Sequence, residues 1–237
     1  MLRSQDTAGL IDGVIFDLDG VLVDTAEYHF RAWRRLAEEL GVEFTREDNE
    51  RLKGVSRMRS LEIILEIGGI KMDEEGKRRA AACKNGYYQE YIEEMDESEI
   101  LPGVMEMLED LSGRRARLCV ASASKNAPKI MAALPGLDRF FDARVYGQDL
   151  EHSKPHPQIF RLSADRLDID PGRCAVVEDA EAGIEAAHRA GMLAVGIGSP
   201  ERLHKADIVA RGLDELNAAD LLFEDGAASP AQSSPTA

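Results

Sequence analysis

Two carboxylates one residue apart, Asp17 and Asp19, end the segment Val14-Ile15-Phe16-Asp17-Leu18-Asp19-Gly20-Val21. Along an extended chain alternate side chains share a side, so the two acids project together. Gly20 lets the backbone turn directly after them. Ile11, Val14, Ile15 and Phe16 are apolar and read as a buried strand over about 11–16. Acids at the end of such a strand set negative charge where open α/β sheets take their ligands. Close carboxylates repel unless a cation lies between them, and hard oxygen donors suit Mg²⁺. The chemistry these residues favour is a Mg²⁺-dependent site with an aspartate nucleophile. D-x-D-G is short and common, however, and alone it is explained as well by a solvated strand end.

Three later clusters have matching positions. Ser122-Ala123-Ser124-Lys125-Asn126 follows a strand ending at Ala121 and opens a helix, where a hydroxyl and free N–H groups form a phosphate seat. An ordinary Ser/Asn cap is the rival explanation there. Lys154, in Ser153-Lys154-Pro155, comes after another strand and before a helix. It would neutralise phosphate or the aspartates, although most lone lysines are surface residues. Glu178 and Asp179 end a continuous apolar strand and open a helix at Glu181, placed to complete a Mg²⁺ site. Each signal is weak, but their order is specific: D-x-D, Ser, Lys, Glu-Asp, every one at a strand's C-terminal end.

The elements that must position them alternate. Strands expected at 116–121, 143–146, 174–177, 193–197 and 208–209 are separated by helices from 104, 127 and 157, one ending at Gly191, and one beginning at Leu213. Such alternation implies βαβ units and a parallel sheet. Residues 25–97 read as all-helical. Asp24 and Glu27 have capping-box spacing, and Phe30, Trp33, Ala37 and Leu40 form a stripe stopped by Gly41. A second helix is expected from Thr45 to near Lys53-Gly54, a third after Ser56 and before Gly68-Gly69, and a fourth from about 73 to 95. The expected fold is α/β: a Rossmann-like parallel sheet core (1–24 and 98–225) with an inserted four-helix cap domain (25–97) and a disordered tail (226–237).

The 237 residues carry a net charge of −15. This balance argues against nucleic acid or an anionic membrane as partner, and it requires local cations for any phosphate site. Cys83, Cys119 and Cys174 form no C-x-x-C pair. Cys119 and Cys174 lie in apolar runs and read as buried free thiols. No apolar run reaches transmembrane length and no secretory leader is evident, so the expected location is cytoplasmic. His152, His156, His188 and His204 match no catalytic spacing.

The ordered set of motifs resembles the haloacid dehalogenase-like phosphotransferase superfamily. Within it, Asp24-Thr25-Ala26-Glu27-Tyr28-His29-Phe30-Arg31-Ala32-Trp33, Leu52-Lys53-Gly54-Val55-Ser56-Arg57 and the 121–126 segment are similar to the β-phosphoglucomutase family. The resemblance implies that Asp17 is the nucleophile and forms an aspartyl phosphate. It implies that Asp17, Asp179 and the backbone carbonyl of Asp19 hold Mg²⁺ with Glu178, that Ser122 and Lys154 hold the transferring phosphoryl group, and that Asp19 is the general acid/base. A second, non-transferring phosphate falls to Arg57, Ser124, Lys125 and Asn126, with Ala123 in the same loop. Thr25, His29 and Lys84 match positions that tie cap closure to Asp19. Trp33, Leu52, Lys53, Gly54, Val55 and Ser56 match a sugar-facing surface. By pattern alone Trp33 reads as core, and His29 and Lys84 as solvated helix residues.

The activity implied is interconversion of β-D-glucose 1-phosphate and glucose 6-phosphate through β-glucose 1,6-bisphosphate, by a monomer whose partners are small sugar phosphates and bisphosphates. The alternative is a Mg²⁺-dependent sugar-phosphate phosphatase using the same Asp17 and Asp19, from which only the cap segments distinguish it. An acidic interaction protein is a third reading, against which the complete set Asp17, Asp19, Ser122, Lys154 and Asp179 speaks.

Overall fold

The computed structural model describes residues 11–52 and 56–222. The expected tail disorder and the assignments of Lys53, Gly54 and Val55 lie outside the described residues.

The elements follow the order β1 (Gly13–Phe16), α1 (Ala26–Glu39), α2 (Arg46–Glu50), α3 (Arg57–Gly68), α4 (Glu74–Ile92), α5 (Val104–Gly113), β2 (Arg117–Ala121), α6 (Ala127–Ala133), α7 (Pro135–Asp138), β3 (Ala143–Val145), α8 (Gln158–Leu167), β4 (Cys174–Glu178), α9 (Glu181–Ala190), β5 (Leu193–Ile197), β6 (Ile208–Ala210) and α10 (Ala218–Leu222). Among the described residues the strands form one six-stranded sheet in the order β3-β2-β1-β4-β5-β6. Every pairing is parallel. The chain winds outward from β1 through β2 to β3, then returns to β4 on the other side of β1. That reversal places a crevice at the carboxyl end of β1, the usual ligand position in such sheets.

Register fixes which residues face that crevice. Phe16 lies opposite both Val120 and Val177. The next residues are therefore level: Asp17, whose N–H donates to Val177 O at 2.9 Å, and beside it the ends of β2 and β4. The strands hold this position because they are buried on both faces. Val14, Phe16, Leu118, Val120 and Val177 pack with Leu108, Leu111 and Ile130 on one side. Ile15, Cys119, Ala121 and Val176 pack with Phe160, Ile184 and Ala187 on the other.

The helices α1–α4 carry an apolar cluster of their own, including Phe30, Trp33, Leu36, Leu61, Ile64 and Leu65. Each such buried side chain contributes about 1.5–3 kcal/mol. The two strands of chain that lead into and out of this segment run side by side. Asp24 N donates to Glu99 O at 2.9 Å, Leu101 N to Leu22 O at 3.0 Å, and the Tyr28 hydroxyl to Glu99 Oε1 at 2.5 Å. No helix among the described residues is long and apolar enough to cross a membrane. Cys119 and Cys174 are buried free thiols, as their strand positions implied, and Cys83 is exposed.

Local details differ from the sequence-based expectations. Asp24 and Glu27 form no capping box. Asp24 Oδ1 accepts from Ala26 N at 3.0 Å, Glu27 pairs with Arg46 at 2.9 Å, and the cap residue is Thr25, which makes no side-chain capping bond. Its hydroxyl is used elsewhere. The helix opened by Thr45 ends at Glu50, short of Lys53. At Leu213 the chain makes only a 3₁₀ turn, and the helix starts at Ala218. Lys154 is not at a strand end, because a 3₁₀ turn at Gly147–Asp149 separates it from β3.

Candidate active site

The end of β1 supplies Asp17, which is 7 % exposed and accepts a 2.5 Å hydrogen bond from Lys154 Nζ at Oδ1. The same ammonium contacts Glu178 Oε1. Glu178, the last residue of β4, is 1 % exposed and also accepts from Ala180 N at 2.8 Å, at the start of α9. Gly183 makes room for it: a Cβ there would come within 2.0 Å of the Glu178 carboxyl. Gly20, at φ +82°, does the same for Asp179, whose Oδ2 would lie 2.6 Å from a Cβ.

Burial pushes the Asp17 carboxyl well above its ordinary value; Lys154 opposes this, and Glu178, Asp19 and Asp179 add to it. Burial and then Glu178 push Asp179 up to about 6. Lys154 is held above its usual range although burial works against its charge, because Asp17 and Glu178 outweigh that cost. One lysine is set among these acids, and it does not fully offset burial and their mutual repulsion at Asp17.

Asp19 is held from two directions. Oδ1 accepts from the Thr25 hydroxyl at 2.5 Å, and Oδ2 from the Ser122 hydroxyl at 3.3 Å. Burial raises its pKa, and these two donors counter that. Thr25 opens α1 and Ser122 follows β2, so one carboxyl joins the helical segment to the sheet. The Ser122–Asn126 loop is folded on itself: Ser124 N donates to Ser122 Oγ and Asn126 N to Ser124 Oγ, each at 3.1 Å. Asn126 is 4 % exposed, and its amide is engaged by α4, accepting from Gln89 Nε2 at 2.8 Å and donating to Asn85 Oδ1 at 2.9 Å. Ala123 and Lys125 are exposed on this loop.

Across from Asp19, Lys84 Nζ lies 2.8 Å from His29 Nδ1. Burial, Lys84 and Arg57 push the imidazole well below its ordinary value, so His29 is neutral and Nδ1 accepts. Lys84 is only 2 % exposed, and burial followed by Arg57 lowers it from 10.5 to about 7. Trp33 and Leu52 are buried in the helical cluster, with Lys84 Nζ 4.7 Å from the Trp33 ring centroid. Ser56 caps α3, accepting from Arg59 N at 3.3 Å. The described candidate residues thus fall into two groups that meet at Asp19: the acids at the strand ends with Lys154 from the loop before α8, and Thr25, His29, Lys84 and Arg57 on the helices.

The buried lysine predicts a pH-dependent stability. Folded Lys84 gives up its proton near 7, whereas the unfolded chain keeps it to 10.5. The cost of burying the charge is thus fully present below 7 and disappears as pH rises towards 10. Lys84→Met is expected to stabilise the fold at pH 6 by roughly 1–3 kcal/mol and by less at pH 9. Thermal melts of both proteins at the two pH values measure this, and an equal gap would remove the burial argument.

A haloacid dehalogenase-like hydrolase family model matches residues 11–191 of this chain, which span β1, Ser122, Lys154 and Glu178-Asp179. The chain belongs to the haloacid dehalogenase-like hydrolase family. A β-phosphoglucomutase of Bacillus subtilis is 45 % identical over 214 residues, covering 90 % of this chain and 94 % of that protein. A phosphorylated carbohydrates phosphatase of Thermotoga maritima is 35 % identical, covering 77 % and 82 %. The crystal structure of a β-phosphoglucomutase from Clostridium difficile superposes with a TM-score of 0.77 at 42 % identity, covering 88 % of this chain and 94 % of that one.

Sequence reasoning did not single out two residues that touch this candidate site. Tyr88 is fully buried and stacks on His29 with ring centroids 4.1 Å apart. It stands four residues after Lys84, on the same helix face, which was the available signal. Arg202, whose Nη2 donates to Asp179 O at 3.1 Å, carried no local signal.

Proposed function

We propose that the protein is a β-phosphoglucomutase, interconverting β-D-glucose 1-phosphate and glucose 6-phosphate through an aspartyl phosphate and β-glucose 1,6-bisphosphate. The observation that carries this reading is the double hold on Asp19, by Thr25 from the helices and Ser122 from the sheet. It makes the proton-transferring carboxyl answer to the position of the helical segment, taken as a cap over 25–97. A phosphoenzyme that must react with sugar and not water needs such coupling, because closure around a sugar phosphate then readies the acid/base.

In the proposed mechanism a carboxylate oxygen of Asp17 attacks phosphorus, the bond to the leaving oxygen breaks, and Asp19 gives that oxygen its proton. In the return step Asp19 takes the proton from the attacking sugar hydroxyl while the phosphoryl group leaves Asp17. Lys154 and Ser122 neutralise and orient the transferring group. The donor set fits a hard divalent cation, since the acids repel one another and all ligands are oxygens. Among the described residues no three acidic, imidazole or thiol side chains already converge on one point, and Lys154 stands between Asp17 and Glu178. Asp17, Asp179 and the Asp19 carbonyl, with Glu178, would hold Mg²⁺, which supplies charge neutralisation at the phosphoryl oxygens. Arg57, with Ser124, Lys125 and Asn126, takes the second phosphate; Asn126 Nδ2 carries a second N–H beside the one that it donates to Asn85. The reading carries with it a monomer in the cytoplasm.

A phosphatase relative supports the second reading, hydrolysis of a sugar phosphate with the same residues. A coupled assay with β-glucose 1-phosphate, Mg²⁺ and a bisphosphate primer separates the two: glucose 6-phosphate formation outpaces phosphate release in a mutase, and the reverse order sinks the proposal. In the same assay Arg57→Ala is expected to lower transfer to sugar by about 10²-fold while slow phosphate release survives. Equal loss of both activities would refute the role assigned to Arg57.

A further inference from the structure

A cavity of about 440 Å³ opens at the amino ends of the strands, where Asp12 precedes β1 and Arg117 begins β2. Arg117 N donates to Asp12 O at 2.9 Å and fixes the two ends together. β1 runs from Gly13 to Phe16, so at about 3.3 Å per residue the cavity lies roughly 16 Å from Asp17. Its floor is apolar, made by Ile11, Leu167, Ile169 and Leu222. On its rim three arginines, Arg114, Arg115 and Arg117, stand with two acids, Asp12 and Asp168. A chain of net charge −15 thus gathers three cations against two acids at one opening.

The backbone marks the same place. Among the described residues only Arg115 and Asp168 have positive φ without being glycine, at 65° and 58°, and both line this cavity. Arg115 follows the end of α5, where its N–H donates to Ser112 O at 3.0 Å and Ala116 N to Leu111 O at 3.1 Å. Glycine is the usual choice for such a helix end, because a Cβ is crowded there. An arginine stands in its place, and strain kept at a cavity points to a use for the side chain. Arg114 pairs with Asp110 at 2.8 Å and Arg117 with Asp142 at 3.1 Å, all four side chains at least 35 % exposed, whereas Arg115 forms no ion pair among the described residues. Pairs so exposed are weak, and a phosphate that offers a guanidinium two oxygens competes with them. We propose that this cavity binds a nucleoside diphosphate, with the base on the apolar floor, the phosphates on Arg115 and Arg117, and the ribose hydroxyls donating to Asp168. Its volume falls among those of small-molecule sites. Guanidinium forks match phosphate oxygens, and they also stack on flat rings. A sugar phosphate would leave the apolar floor uncovered, and an uncharged ring would leave Arg115 unused. The site is independent of the reaction proposed above, and its arginines supply the positive charge without a metal.

Isothermal titration calorimetry of the full chain in EDTA, with and without glucose 6-phosphate, tests this with ADP and with its two halves, adenosine and pyrophosphate. ADP is expected to bind with a Kd below about 1 mM, unchanged by glucose 6-phosphate, and each half at least about tenfold more weakly. Arg115→Gly removes the guanidinium and suits the left-handed backbone, so it should weaken ADP by about tenfold or more while the protein stays folded. Ile169→Trp fills the floor and should weaken ADP as much with all three arginines in place. Thermal melts check that both variants fold, and if Ile169→Trp does not, Arg115→Gly decides alone. Absence of ADP binding at millimolar concentration overturns the proposal. Pyrophosphate binding as tightly as ADP overturns it too, by making the place a patch for any anion. Adenosine binding as tightly does the same, by leaving the arginines no part. Competition by glucose 6-phosphate would move the binding to the crevice, and unchanged affinity in Arg115→Gly would move it elsewhere; either result ends the proposal.

Discussion

Asp17→Asn is expected to abolish phosphoryl transfer, by about 10⁴-fold or more, while leaving the fold as stable as before or more so. The two halves of this expectation have one cause. Asp17 sits buried beside Glu178, Asp19 and Asp179, and repulsion from all three adds to burial in raising its pKa. An amide of the same shape removes that repulsion and leaves Lys154 its contact with Glu178. The amide cannot attack phosphorus, so no phosphoenzyme accumulates. Acid-quench trapping of phosphoprotein with a labelled bisphosphate, together with a thermal melt, reads both halves. A variant retaining a hundredth of wild-type turnover would take the nucleophile's role from Asp17. One that loses activity only because it unfolds would show that the carboxylate is needed structurally, against the repulsion among the four acids.

Much of this was legible in the chain because the informative signals are local. β1 announces itself through Val14, Ile15 and Phe16, and the parallel order of the sheet follows from strands that alternate with helices. Capping at Thr45, Ser56 and Asp73 depends on residues three positions apart and is found where those residues stand. Asp24 and Glu27 have the right spacing and still fail, because the cap of α1 is Thr25 and Glu27 pairs with Arg46, a partner on another element. The same limit hid Tyr88. A tyrosine on a helix with apolar neighbours reads as core, and its packing is core-like; what sets it apart is the imidazole of His29, far earlier in the chain, on which its ring stacks. The pattern at 122–126 assigns Asn126 to a phosphate by resemblance, whereas its amide is bound by Gln89 and Asn85, which nothing near residue 126 foretells. Local hydrogen-bonding rules thus locate the strand ends and the groups on them, while the division of work among those groups depends on contacts between elements distant in sequence.

Lys154→Met tests that division most severely. Lys154 is the cation nearest both Asp17 and Glu178, and the three side chains are at most 12 % exposed. Removing one partner of a buried charge cluster costs about 3–5 kcal/mol, because the charges left behind are neither solvated nor paired. Two carboxylates would then share the space, and one escapes by taking up a proton. Folding would raise the pKa of that carboxyl further than in wild type, so the folded variant binds a proton that the unfolded chain has already lost. A carboxyl raised in this way gives stability that is lost as pH rises through its folded value. The variant should therefore lie closer to wild type at pH 5 than at pH 8, with the gap measured by urea unfolding at both. Mg²⁺ should narrow the pH 8 gap, since a cation that binds the same acids stabilises the state that holds it. Activity should fall by about 10³-fold, as the charge aimed at the transferring phosphoryl oxygens is gone. A gap independent of pH would mean that Lys154 is held by packing and not by the two carboxylates. The same result would leave no reason for Asp17 to stay ionised enough to attack.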